Sequence, residues 1–192
     1  MDELIKQILN ESIEAKQTFI SNNLELINRC AQKMVDVLNS GNKILLFGNG
    51  GSAADCQHIA AEFINRFQIE RIPLAAIALT TDTSVITSIG NDYSFEDIFL
   101  KQIHALGKKG DIALGISTSG NSPNVIKAAR AAKEMGMTTI GLSGETGQLK
   151  EISDFPFCVS SKVTARIQEA HILLAHILCD LTEGMIFNEY SN

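Results

Sequence analysis

Asp111-Ile112-Ala113-Leu114-Gly115-Ile116-Ser117-Thr118-Ser119-Gly120-Asn121-Ser122 is a short apolar run that breaks into a hydroxyl-rich loop. Ile112–Ile116 is too short for a helix and suits a buried strand. Pro123 follows, then an alanine-rich periodic stretch to about Met135. Proline suits a first helical turn, where its missing N–H costs nothing. The order is therefore strand, loop, helix N-terminus. Four side-chain hydroxyls and several backbone N–H groups gather where a helix dipole is positive, which makes a seat for an anion, phosphate above all. A cap alone needs one hydroxyl, not four.

The same pattern recurs outward from this stretch. Lys43–Phe47 is a buried-type strand ending in Gly48-Asn49-Gly50-Gly51-Ser52, and a helix is expected from Ala53 to about Phe67. Further strands are expected at Pro73–Leu79, Thr138–Leu142 and Pro156–Val159, and helices at Phe95–Leu106, Leu149–Ile152 and Thr164–Phe187. Thr80–Asn91 is polar and turn-prone, with room for one short helix. This alternation predicts an α/β fold, a five-stranded parallel sheet with helices on both faces. Ligands bind such sheets beyond the carboxyl ends of the strands. The loops at 48–52, 117–122 and 143–147 lie at such ends. Two helices over residues 2–39, broken near Ser21-Asn22-Asn23 and stopped at Gly41, precede the first strand. They have little sheet to cover, so part of their apolar stripe is expected to pack on another subunit.

The 192 residues, 45% hydrophobic and 20% charged, suit one domain over 1–192, with 1–40 as its N-terminal helical extension. The net charge of −6 and the lack of a basic patch speak against nucleic acid as a partner. No apolar run reaches the length of a bilayer span, so no membrane partner is expected. Met1-Asp2-Glu3 begins nothing like a secretory signal, which points to the cytoplasm. Cys30, Cys56, Cys158 and Cys179 lack metal-type spacing and read as free thiols of a reducing compartment.

Two helices carry ionisable groups. Asp55, His58 and Glu62 fall on one stripe after the glycine loop. His58 and Glu62, four apart, can share an ion or a substrate. The glycine loop lacks G-x-G-x-x-G and an acidic partner, which argues against a dinucleotide. Its glycines allow close approach to a ligand, Ser52 can cap the helix and Asn49 can reach a sugar hydroxyl. In the last helix Arg166, Gln168, Glu169, His171, His176 and Asp180 interrupt an apolar sequence and need partners. Gln168 and His176 lie about 12 Å and roughly 80° apart on an ideal helix, so extended side chains can reach a common centre. Geometry leaves His171 and His176 as alternatives.

Taken together, Gly48-Asn49-Gly50-Gly51-Ser52-Ala53-Ala54-Asp55, His58, Glu62, Gly90-Asn91-Asp92, Gly115–Ser122, and Arg166-Ile167-Gln168-Glu169 with His171 and His176 resemble the phosphoheptose isomerases, a family of the sugar-isomerase (SIS) fold. The resemblance spans nearly the whole chain. It implies a SIS-type three-layer sandwich whose N-terminal and long C-terminal helices serve oligomer packing. It implies isomerisation of sedoheptulose 7-phosphate, a phosphorylated seven-carbon sugar, to D-glycero-D-manno-heptose 7-phosphate, for the heptose of bacterial lipopolysaccharide. It also implies a homotetramer with sites between subunits and one zinc ion per subunit. By position, it makes His58, Glu62, Gln168 and His176 the zinc ligands and Glu62 and His176 the catalytic acid–base pair. Ser117, Thr118, Ser119 and Ser122 would hold the phosphate. Asn49, Gly50, Gly51, Ser52, Asn91, Asp92, Glu62 and Gln168 would hold the sugar. A neutral glutamine is an unusual zinc ligand and rests on the resemblance alone. The chain departs from some relatives at Ala165, where they carry an acid. Ile64-Asn65-Arg66-Phe67 with Glu70-Arg71, and Cys179-Asp180-Leu181, also resemble a non-catalytic tetrameric branch that binds the bacterial replication initiator. That branch is expected to lack the carboxylate–histidine set that this chain keeps.

Overall fold

The computed structural model describes residues 1–187; residues 188–192 of the expected 1–192 domain lie outside the described residues. Helices α1 (Asp2–Ser21) and α2 (Leu24–Asn39) lead into β1 (Ile44–Gly48) and α3 (Gly51–Ile64). Next come β2 (Ala76–Ala78), α4 (Thr83–Asp92), a single 3-10 turn at Phe95–Asp97 and α5 (Ile98–Leu106). The chain continues through β3 (Ile112–Ser117), α6 (Pro123–Glu134), β4 (Thr138–Gly144), α7 (Gln148–Ile152), β5 (Phe155–Val159) and α8 (Thr164–Ile186).

All pairings are parallel, in the order β2-β1-β3-β4-β5. Strands β1, β3 and β4 are buried almost throughout because both faces are covered. Alternate residues serve the two sides. Ile44, Leu46, Ile112, Leu114, Ile116, Ile140 and Leu142 meet α2, α3 and α8, and Leu45, Phe47 and Ala113 meet α5 and α6. This is the expected three-layer sandwich.

Strand order reverses between β1 and β3, the switch point at which doubly wound sheets open a crevice. Gly48 at the end of β1 pairs with Ile116 near the end of β3, so the glycine loop and the hydroxyl loop emerge side by side. At the opposite, N-terminal end of this strand pair Asp111, fully buried, accepts hydrogen bonds from Lys43 N at 3.0 Å, Lys43 Nζ at 2.6 Å and Lys108 N at 3.0 Å. Those bonds fix the register of both strands.

Two expectations change. The second strand keeps only three of its seven residues, Leu74 N being taken by Phe63 O at 3.0 Å. The short helix allowed for in the turn-prone stretch is the ten-residue α4, started by Asp82, whose carboxylate accepts Val85 N at 3.0 Å. Helix α3 stops at Ile64 rather than near Phe67. Among the described residues no helix is long and apolar enough to cross a membrane.

Candidate active site

The hydroxyl loop closes on itself. Ser117 Oγ lies 2.9 Å from Ser122 Oγ and 3.3 Å from Ser119 Oγ. Ser122 occupies the cap position of α6 but makes no side-chain capping bond, so its hydroxyl stays with the loop. Gly120 turns at φ +66°, where a side chain would run into the backbone of Thr146 and Gly147. Leu149 N bonds Gly120 O at 3.0 Å and Gly144 N bonds Thr118 O at 3.0 Å, tying the loop to the end of β4. Thr118 and Ser119 line a cavity of about 370 Å³ that also takes in Glu145, Ser161 and Lys162. Lys162 is a cation that the sequence pattern did not single out.

The glycine loop answers differently from expectation at two positions. Gly50, at φ +56°, is the cap residue of α3, so Ser52 lies within the first turn and does not cap. Asn49 is engaged: its amide and that of Asn124 exchange two hydrogen bonds, both 2.9 Å. Asn124 is buried and also accepts Val125 N at 2.9 Å. This reciprocal pair spans the switch point and locks the glycine loop to the first turn of α6.

Helices α3 and α8 bring three predicted residues together. His58 Nε2 lies 2.9 Å from His176 Nε2 and 3.3 Å from Glu62 Oε1. At that separation one ring donates and the other accepts. Asp55, on the same stripe, keeps a buried carboxylate oxygen without a hydrogen-bond partner. Burial raises its pKa, and the neighbouring His58 opposes that rise. Gln168 lies against the start of α3: its Nε2 is only 2.5 Å from where a Cβ on Gly51 would stand, so a side chain there would push the amide aside. Gly51 precedes His58 by seven residues, about 10 Å of helix. Asn91 and Asp92 close α4, are exposed, and bond to each other at 2.8 Å.

The choice between the two histidines of α8 is made by the fold. His171 is buried, its Nε2 is 3.1 Å from Ser143 O, and burial lowers its pKa to about 4 despite that bond. It belongs to the core, and His176 faces the cluster. Arg166 and Glu169 pair with each other, and with Ile8 O and Ser12 Oγ, to fasten α1 to α8.

Two imidazole nitrogens, a carboxylate and a nearby amide form a donor set suited to zinc. The nitrogens, 2.9 Å apart, are closer than the roughly 3.4 Å between two nitrogens on one tetrahedral zinc. Among the described residues no group of three His, Cys, Asp or Glu side chains stands in a ready ligating arrangement. The two imidazoles and the carboxylate match zinc in kind, and Gln168, which lies against Gly51, would have to turn toward them to join the set. A larger cavity, about 540 Å³, opens between α4, α5 and the edge strand β2, but no imidazole or thiol lines it.

The sequence matches the SIS domain family over residues 8–144. The phosphoheptose isomerase of Aquifex aeolicus is 52% identical over 187 residues, 97% of this chain and 98% of its own. That of Nitratidesulfovibrio vulgaris is 52% identical over 178 residues, 92% of this chain and 86% of its own. The solved phosphoheptose isomerase of Neisseria gonorrhoeae superimposes with a TM-score of 0.88 at 47% identity, over 95% of this chain and 98% of that one.

Proposed function

The chain belongs to the SIS domain family and, within it, to the phosphoheptose isomerases, and from that premise we propose that it converts sedoheptulose 7-phosphate to D-glycero-D-manno-heptose 7-phosphate by proton transfer through an enediolate. The observation that supports this most is the meeting of Glu62, His58 and His176 from two separate helices, on an α3 that starts from the glycine loop emerging next to the hydroxyl loop.

Ser117, Thr118, Ser119 and Ser122 bind the phosphate at one end, with the α6 dipole behind them. That grip orients the carbons at the other end, which converts binding energy into alignment. Asn49 to Ser52, Asn91, Asp92 and Gln168 hold the sugar between; Asn49 acts through its backbone, since its amide is held by Asn124. Glu62 takes the proton from the carbon beside the carbonyl and returns it to the neighbouring carbon. His176 moves the proton between the two oxygens. His58, Glu62, Gln168 and His176 are the residues that would hold zinc, one ion per subunit. When bound, zinc supplies charge stabilisation at the substrate oxygens.

The exposed stripe of Leu4, Ile5, Ile8, Leu9 and Ile13 on α1 supports burial against another subunit, as in a homotetramer with sites at its interfaces. The reading extends to a cytoplasmic enzyme supplying heptose for bacterial lipopolysaccharide. The test is to incubate the purified protein with sedoheptulose 7-phosphate and follow the aldose by NMR. Conversion that is lost in Glu62→Gln supports the reading. Wild-type protein that binds the replication initiator and converts nothing, with or without zinc, overturns it.

A further inference from the structure

Residues 65–72, between α3 and β2, have no regular structure of their own, yet their backbone is held firmly from α8. The buried carboxylate of Glu183 accepts the N–H groups of Phe67 at 3.0 Å, Gln68 at 2.6 Å and Ile69 at 3.2 Å. Arg71 Nε adds a fourth bond at 2.6 Å. The same guanidinium donates to Phe63 O at 2.9 Å, Ile72 O at 3.0 Å and Glu62 O at 2.8 Å. Two of these are carbonyls that the end of α3 leaves without helical partners. The Arg71 and Glu183 side chains are only 1% and 3% exposed, so neither charge can be left alone without large cost. Burial pushes the Glu183 carboxyl up, but the N–H groups of Gln68, Phe67 and Ile69 and the guanidinium outweigh it and hold it below its ordinary value.

This loop delivers one side chain to the site. The Phe67 ring stacks on His176, with centroids 5.7 Å apart and planes at 27°. His176 and Glu183 are seven residues apart, about 10 Å along one face of α8. Phe67 bridges that interval: its N–H is held by Glu183 and its ring lies against His176.

We propose that Glu183 is a positioning residue: by fastening the backbone of Phe67 it holds the ring that fixes the His176 imidazole beside His58 and Glu62. The proposal rests on the reading of His176 as an acid–base group. A ring on one face removes the rotamers that would swing the imidazole away, while the contact with His58 sets its tip.

The experiment compares wild type, Glu183→Gln, Phe67→Leu and Phe67→Tyr as full chains. It reads kcat and KM for sedoheptulose 7-phosphate, and the ¹H–¹³C signals of the His176 ring, which carry the ring-current shift of Phe67. Glu183→Gln and Phe67→Leu are expected to lower kcat about 5- to 20-fold with KM within about two-fold, and to move the His176 signal the same way. Phe67→Tyr restores both. A Glu183→Gln protein with wild-type kcat and an unmoved His176 signal overturns the proposal. If Glu183→Gln fails to fold, Phe67→Leu leaves the ion pair intact and decides by kcat against KM, since losing the ring removes its shift in any case: an unchanged kcat overturns the proposal. The NMR signal stands apart from turnover, so wild-type protein without isomerase activity would sink the functional reading while this one is still read.

Discussion

The hydroxyl loop takes its geometry from Ser117–Ser122, six neighbours in sequence, and needs little beyond the end of β4 to hold it. The imidazole–carboxylate cluster needs α3, α8 and a loop pinned by an ion pair whose members are 112 positions apart. The first region is built from backbone turns and short side chains with few rotamers. The second depends on long side chains whose orientation is imposed by packing. A binding end tolerates such local construction, because a phosphate can be met by several hydroxyls in parallel. A proton-transfer end does not, because one misplaced atom stops the transfer.

The comparison breaks most readily at Glu62. Replacing it with glutamine keeps the shape and removes the proposed base, and turnover should drop by about 10²- to 10⁴-fold with little change in KM. Steady-state kinetics check this, and a change confined to KM would move Glu62 to the binding side. Arg71→Leu should strike the scaffold of the same region, costing about 3–5 kcal/mol because Glu183 is left buried and unpaired. Urea unfolding reads that loss, and a cost under about 1 kcal/mol would mean the loop is held by other contacts.

The pH dependence of His171 sharpens the division between the two histidines of α8. Its folded pKa of about 4 lies below the ordinary value near 6.5, so between those values the unfolded chain binds the extra proton. Stability from this group is therefore full above about pH 6.5 and falls by roughly 1.4 kcal/mol per unit toward pH 4, about 3 kcal/mol in all. Unfolding curves of wild type and His171→Asn should diverge in that window alone. The smallest effect is expected in the hydroxyl loop. Ser119→Ala removes one of several donors and should raise KM roughly 10-fold, leaving kcat within about two-fold.

The same contrast explains what the sequence made legible. The hydroxyl loop declared itself because its whole construction is local: an apolar run, a polar break and Pro123. The stripe of His58 and Glu62 was visible through helical spacing. Glu183 and Arg71 were not visible as partners, since no spacing rule links residues on α8 to a loop after α3. An acid near the end of a greasy helix was the available signal. Asn49 read as a sugar contact because nothing in its neighbourhood predicts Asn124 across the switch point. Helix α4 was legible as a short helix within Thr80–Asn91, but its Thr, Ser and Asn content hid its bounds, although Asp82 three residues before Val85 marks its start.

A crystal of Glu62→Gln soaked with sedoheptulose 7-phosphate tests most directly whether these two regions serve opposite ends of one substrate. The phosphoryl oxygens are expected within hydrogen-bond distance of Ser117, Ser119 and Ser122, with the carbonyl end of the same sugar beside residue 62 and His176. A phosphate bound elsewhere, or a sugar whose far end reaches no imidazole of any subunit, would contradict it.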